Sequence, residues 1–221
     1  MIATPRLDRL PAAERGITIG DFLVPIRLGD RMSTRARDTA LVIAGALFIS
    51  LTAAVSIPVP GSPVPVTGQT FGVLLVGGAL GFRRGGLAAL LYVVLGFFLP
   101  VYADHKTGVA IIASIDQGTI VLGATGGYLV GFILAAAVVG RLAELGWDRH
   151  PLGAFAAMFL GNVLIYAVGI PWLMAATGQD LAWAIDKGLA PFVVGDAIKL
   201  LLAAGLFPAA WWVVGRRGEE R

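Results

Sequence analysis

Two charged side chains, Asp196 and Lys199, interrupt the otherwise apolar stretch 190–214. Three positions apart, they share one face of a helix. A lone charge at that depth in a membrane costs at least about 3 kcal/mol, so the two must either pair or serve a site. Two chemistries suit them. One is a self-satisfied ion pair that locks the helix. The other is a ligand-contacting pair, the acid accepting from N–H groups and the lysine donating to a carbonyl or carboxylate. Membrane interiors seldom carry charges for packing alone, which favours the second.

Further polar groups fall at comparable depth. Asp116 and Gln117 precede Gly123, Ala124, Thr125, Gly126, Gly127 and Tyr128. Three glycines in this short stretch leave the main chain open to a ligand or to a neighbouring helix, and Tyr128 adds a flat ring with a hydroxyl. Asn162 falls at mid-membrane and Tyr166 in the outer half; each suits either a ligand or an interhelical hydrogen bond. Pro58, Pro60, Pro63 and Pro65 stiffen the loop before Thr67, Gln69 and Thr70, making it a rigid cap over a cavity or a rigid connector.

Several chemistries are excluded. The chain has no cysteine, hence no disulfide and no thiol nucleophile. His105 and His150 lie in loops on opposite sides and cannot share a metal, even with Asp104 beside the first. No Gly-x-x-x-x-Gly-Lys-Ser/Thr run is present, so ATP cannot be used through a phosphate loop of this chain. An intramembrane hydrolase needs a paired nucleophile and base or two facing carboxylates, and Asp196 is the single acid deep in a span. The expected class is a non-enzymatic, substrate-binding membrane subunit without a cofactor. An autonomous symporter using Asp196 as its ion site is the alternative of a different kind.

The elements that position these residues follow from where charge is missing. Of the 221 residues 57% are hydrophobic and 14% charged, far from a soluble composition. Residues 39–82 hold no charge, a run too long for one crossing and broken by the prolines. With the runs 85–103, 117–140, 151–179 and 190–214, they predict an all-α membrane protein with six transmembrane helices at about 39–57, 67–82, 85–102, 118–140, 152–176 and 190–214. Residues 1–37 form an arginine-rich cytoplasmic tail, partly disordered; residues 38–215 form the membrane domain; residues 216–221 form a short cytoplasmic tail.

Orientation follows from Lys and Arg, which stay on the cytoplasmic side. Fourteen of the 17 fall in the tails and in the connections after spans two and four, whereas Lys106 and Lys187 fall in the opposite loops. Both termini are therefore expected inside, and the polar groups above converge on the outer half. The net charge of +3 is explained by this asymmetry, with no need for a nucleic-acid partner.

Three motifs, in order, resemble those of the BioY family, the biotin-binding substrate (S) components of energy-coupling factor (ECF) transporters. They are Pro63-Val64-Pro65-Val66-Thr67-Gly68-Gln69-Thr70, Leu122-Gly123-Ala124-Thr125-Gly126-Gly127-Tyr128-Leu129 and Gly195-Asp196-Ala197-Ile198-Lys199. The resemblance covers about residues 39–214. It implies capture of biotin from outside, under the loop between spans one and two, with Asp196 and Lys199 in the site. It also implies a multi-pass protein of the inner (cytoplasmic) membrane that works with a transmembrane coupling (T) protein and two ATP-binding-cassette ATPase subunits. An S component for another vitamin is the nearest alternative. Ala36, Ala40 and Ala44, at four-residue spacing, match the family's small residues that meet the coupling protein, and equally a generic packing stripe. Leu129 stands where some relatives carry a substrate-contacting arginine. Asp116 and Gln117 stand near the position of an asparagine in some of them.

Overall fold

The structure, a computed structural model, describes residues 17–23 and 33–219. The parts of the expected N-terminal tail at 1–16 and 24–32, and the last two residues, lie outside the described residues. Helix α1 (Gly20–Leu23) is a single turn. Helix α2 (Thr34–Ala53) starts where the Ser33 hydroxyl accepts from the Ala36 N–H at 3.2 Å, satisfying one of the free donors of its first turn. Strands β1 (Ser56–Ile57) and β2 (Val66–Thr67) then pair antiparallel around the proline-rich loop.

Helix α3 (Gln69–Gly96) is not straight. At Gly81 φ is 85° and ψ 179°, a conformation that glycine alone adopts readily, and the chain reverses there. Gln69 consequently donates a hydrogen bond to the Tyr92 hydroxyl, although 23 residues of straight helix would separate them by about 35 Å. Gly85 likewise faces Gly77: a methyl on Gly85 would stand 2.8 Å from the Gly77 Cα. The expected spans 67–82 and 85–102 are thus the two arms of one helical hairpin. The connection expected at Arg83 and Arg84 is replaced by one glycine, because the Glu144 carboxylate accepts from the Phe82 N–H at 2.9 Å and closes the turn.

The second arm ends at Gly96, short of the expected residue 102. A loop with two 3-10 turns leads to strands β3 (Ala113–Asp116) and β4 (Thr119–Leu122), which form a four-residue antiparallel hairpin. The span expected over 118–140 therefore begins only at Gly126. The β-branched run Thr119, Ile120 and Val121 favours the strand, and Gln117 and Gly118, both at positive φ, form its turn.

Helix α4 (Gly126–Glu144) and helix α5 (Pro151–Thr177) follow. Pro151 occupies the first turn of α5, where its missing N–H is harmless, and left-handed Gly178 ends it. A short helix unforeseen in the sequence, α6 (Leu181–Gly188), is capped by Asp180, which accepts from the Trp183 N–H at 2.8 Å. Helix α7 (Val193–Glu219) is the last described element.

Five helical runs are long and apolar enough to cross a membrane: Thr34–Ala53, Gln69–Gly96, Gly126–Glu144, Pro151–Thr177 and Leu181–Val214. The Gln69–Gly96 run is the one that folds back on itself, at Gly81. Large apolar side chains such as Leu47, Leu152 and Leu201 face outward, where lipid is their solvent. Tyr92, Ile49, Met158, Ile165 and Leu173 fill the centre, where close packing rather than water exclusion holds the helices together.

At the end of the bundle bearing the Gly81 turn, Arg84 joins α1 to the hairpin. Its guanidinium donates to Asp21 at 2.9 Å and to the Thr18 hydroxyl at 3.0 Å. Burial raises the pKa of Asp21, but the bonds from Arg84 and Thr18 and the Arg84 charge prevail and hold it below the usual carboxylate value. Residues 18–21 of the expected tail are thus packed on the helices.

Candidate functional site

At the opposite end from Gly81, α3, α4, α5 and α7 surround one polar pocket beneath the proline-rich loop. Its walls are Val64, Pro65, Thr67, Gln69, Thr70, Tyr102, Ala103, Lys106, Ile111, Thr125, Tyr128, Leu129, Phe132, Ile165, Tyr166, Phe192 and Lys199. The loop is held over it by the Ser62 hydroxyl, which donates to the Lys187 carbonyl at 2.7 Å and accepts from the Val64 N–H at 3.1 Å. The Tyr128 hydroxyl donates to the Gly188 carbonyl at 2.8 Å, tying α4 to the end of α6.

Lys199 stands in the floor, and Asp196 lies behind it, on the side of the groove between α5 and α7. Lys199 Nζ donates to the Thr67 carbonyl at 2.9 Å, the Thr70 hydroxyl at 2.8 Å and Asp196 Oδ1 at 3.0 Å. An ammonium has three donors, and all three are used within the protein. Asp196, only 4% exposed, also accepts from the Tyr166 hydroxyl through Oδ2. The two charges therefore do more than pair. They fix Thr67, Thr70 and Tyr166, from three different elements, at one surface of the pocket. Next to them Gln69 accepts from the Thr67 hydroxyl at 3.0 Å.

The remaining expected residues divide. Thr125, Tyr128, Tyr166 and Gln69 line the pocket. Gly126 and Gly127 face Trp172 of α5: a methyl on Gly126 would lie 2.8 Å from its ring. The Trp172 indole also donates to the Gly123 carbonyl at 2.9 Å, so of the two uses foreseen for this stretch the structure shows helix contact. Asp116 and Gln117 are exposed at the β3–β4 turn, away from the pocket walls, because the segment is a hairpin rather than the start of a helix. Asn162 is 7% exposed and lines a separate groove between α5 and α7, where its Oδ1 has no hydrogen-bond partner. Ala36, Ala40 and Ala44 form an exposed stripe on α2.

Several pocket residues escape a reading by motif. Tyr102 and Lys106 come from the loop after α3, and Phe132, Ile165 and Phe192 supply apolar wall. One signal was available: the chain has only four tyrosines, and all of them gather here, Tyr92 through its bond with Gln69.

Apolar helices of spanning length around one capped polar pocket describe a multi-pass membrane protein with a candidate small-molecule site. The chain belongs to the BioY family, whose model matches residues 28–216. The biotin transporter BioY of Thermotoga maritima is 39% identical over 168 residues, covering 75% of this chain and 86% of that protein. The biotin transporter BioY of Rhizobium etli is 37% identical over 185 residues, covering 78% of this chain and 91% of that one. In fold the chain is similar to a crystal structure at 2.1 Å of the S-component for biotin from an ECF-type ABC transporter. That similarity has a TM-score of 0.70 over 80% of this chain and 93% of the other, at 24% identity.

Proposed function

We propose that this chain is the biotin-binding S component of an ECF-type uptake transporter, without catalytic activity of its own. It crosses the cytoplasmic membrane six times with both termini inside, captures biotin from the outer side and releases it inward when joined to a T protein and two ATPase subunits. The observation that carries this reading is the pocket floor, where Lys199 and Asp196 hold Thr67, Thr70 and Tyr166 in place beneath a stiff loop. Biotin has a ureido ring with two N–H donors and a carbonyl, an apolar bicycle and chain, and a carboxylate. The floor offers hydroxyls and a carbonyl to the ureido group, and Tyr128, Phe132, Ile165 and Phe192 offer apolar wall to the rest. The Gly81 reversal supports six crossings, since the folded run contributes two. The Lys/Arg asymmetry supports the orientation.

Uptake into sealed vesicles tests the transport role. Vesicles holding this chain with a coupling module and internal ATP should accumulate labelled biotin, and vesicles with this chain alone should not, with or without an ion gradient. Gradient-driven accumulation by the chain alone would replace this reading with that of a symporter.

A further inference from the structure

We infer that Lys106 is the group that binds the carboxylate end of the ligand, at the mouth of the pocket, which makes it a determinant of specificity for the free acid. The inference rests on the biotin reading above and concerns how the ligand is oriented. Among the described residues the pocket walls carry two cations, Lys199 and Lys106. Lys199 has no donor left, since Thr67, Thr70 and Asp196 take all three. A carboxylate at the floor would also lie near the Asp196 carboxylate, which sits just behind Lys199, Thr70 and Tyr166, an unfavourable like-charge approach. A ureido ring has no such conflict there. The acid end of the ligand is thereby directed away from the floor and toward the other cation.

Lys106 is built for that role. Its backbone is fixed: the Lys106 N–H donates to the Ala103 carbonyl, and the Tyr102 N–H donates to the Lys106 carbonyl, both at 3.2 Å. Buried Tyr102 anchors this turn to α3 by donating to the Val93 carbonyl at 2.6 Å. The turn itself is strained, with Asp104 and His105 consecutively left-handed at φ 57° and 56°. The side chain, by contrast, is 58% exposed, and among the described residues its ion pair is with half-exposed Asp104 at 3.4 Å. A surface pair of this kind is weak, so the ammonium turns to a ligand carboxylate at little cost.

Affinities of the purified protein for biotin and for biotinamide, which lacks the acid, test this. Wild type should prefer biotin by about tenfold, the scale of one charge-assisted hydrogen bond at a partly exposed site. Lys106→Met should abolish the preference while keeping the biotinamide affinity, which also reports that the variant is folded. Lys106→Arg should restore the preference. A preference that survives in Lys106→Met would overturn the assignment, as would equal affinities in wild type. Parallel loss of both ligands that Lys106→Arg does not reverse would overturn it too. Absence of any biotin binding by wild type would instead refute the proposed function itself.

Discussion

Replacing the charges at the pocket floor separates a binding role from a structural one. Lys199→Met removes three hydrogen bonds and leaves Asp196, 4% exposed, with an uncompensated charge; breaking a buried pair from one side typically costs about 3–5 kcal/mol. Asp196→Asn has the mirror effect, placing an amide N–H₂ among donors from Lys199, Thr70 and Tyr166. Both single variants should therefore lower the melting temperature in detergent, and neither isolates binding. The double variant Asp196→Asn with Lys199→Met has no stranded charge and should insert and remain monodisperse. It still loses the ties that position Thr67, Thr70 and Tyr166, so polar ligand atoms meet groups no longer aimed at them. An affinity loss of at least about 2 kcal/mol, roughly thirtyfold, is expected. The assay is equilibrium biotin binding to the monodisperse double variant. Near-wild-type affinity would show that the pair serves only the fold, and would refute the account of the floor.

Three further outcomes are expected. Asp148, 1% exposed between α4 and α5, accepts from the Trp211 indole at 2.7 Å, and burial pushes its carboxyl from 3.8 up to about 6, against the Trp211 bond and the Arg149 charge. A raised acid holds its proton longer in the folded state. Its contribution therefore favours folding at low pH and declines from about pH 4 to about pH 6, by at most about 3 kcal/mol. Melting temperatures of wild type and Asp148→Asn from about pH 3.5 to about pH 7, which brackets the two pKa values, should converge at the acid end, with the Asn variant more stable at the neutral end. Equal pH profiles would contradict this. Gly81→Ala should cost at least about 2 kcal/mol, measured by thermal unfolding, because the reversal needs positive φ and the new methyl would lie 2.7 Å from Glu144 Oε1. Cysteines introduced at Leu10 and Glu219, in a chain with none of its own, should resist an impermeant thiol reagent in intact cells. Labelling from outside would reverse the proposed orientation.

The helical framework was legible because charge is excluded from spans and prolines break them, and both signals are local. The pair Asp196 and Lys199 stood out for the same reason, as two charges in an apolar run. What the pair holds was not legible, since Thr67 and Tyr166 reach it from distant parts of the chain. Residues 117–122 show the limit of composition: a short uncharged run serves the start of a span or one side of a hairpin equally, and the turn at Gln117 and Gly118 decided the matter. The paired glycines before Tyr128 pointed to close approach without saying by what, and the structure supplies Trp172. Lys106 carried no motif, because its place depends on a loop anchored by Tyr102.

The most direct test of the central claim is equilibrium binding of labelled biotin to the purified chain in detergent, without any coupling subunit. Saturable binding at one biotin per chain, displaced by unlabelled biotin and not by other vitamins, is the expected result. Absence of saturable biotin binding by well-folded protein, or tighter binding of a different vitamin, would contradict it.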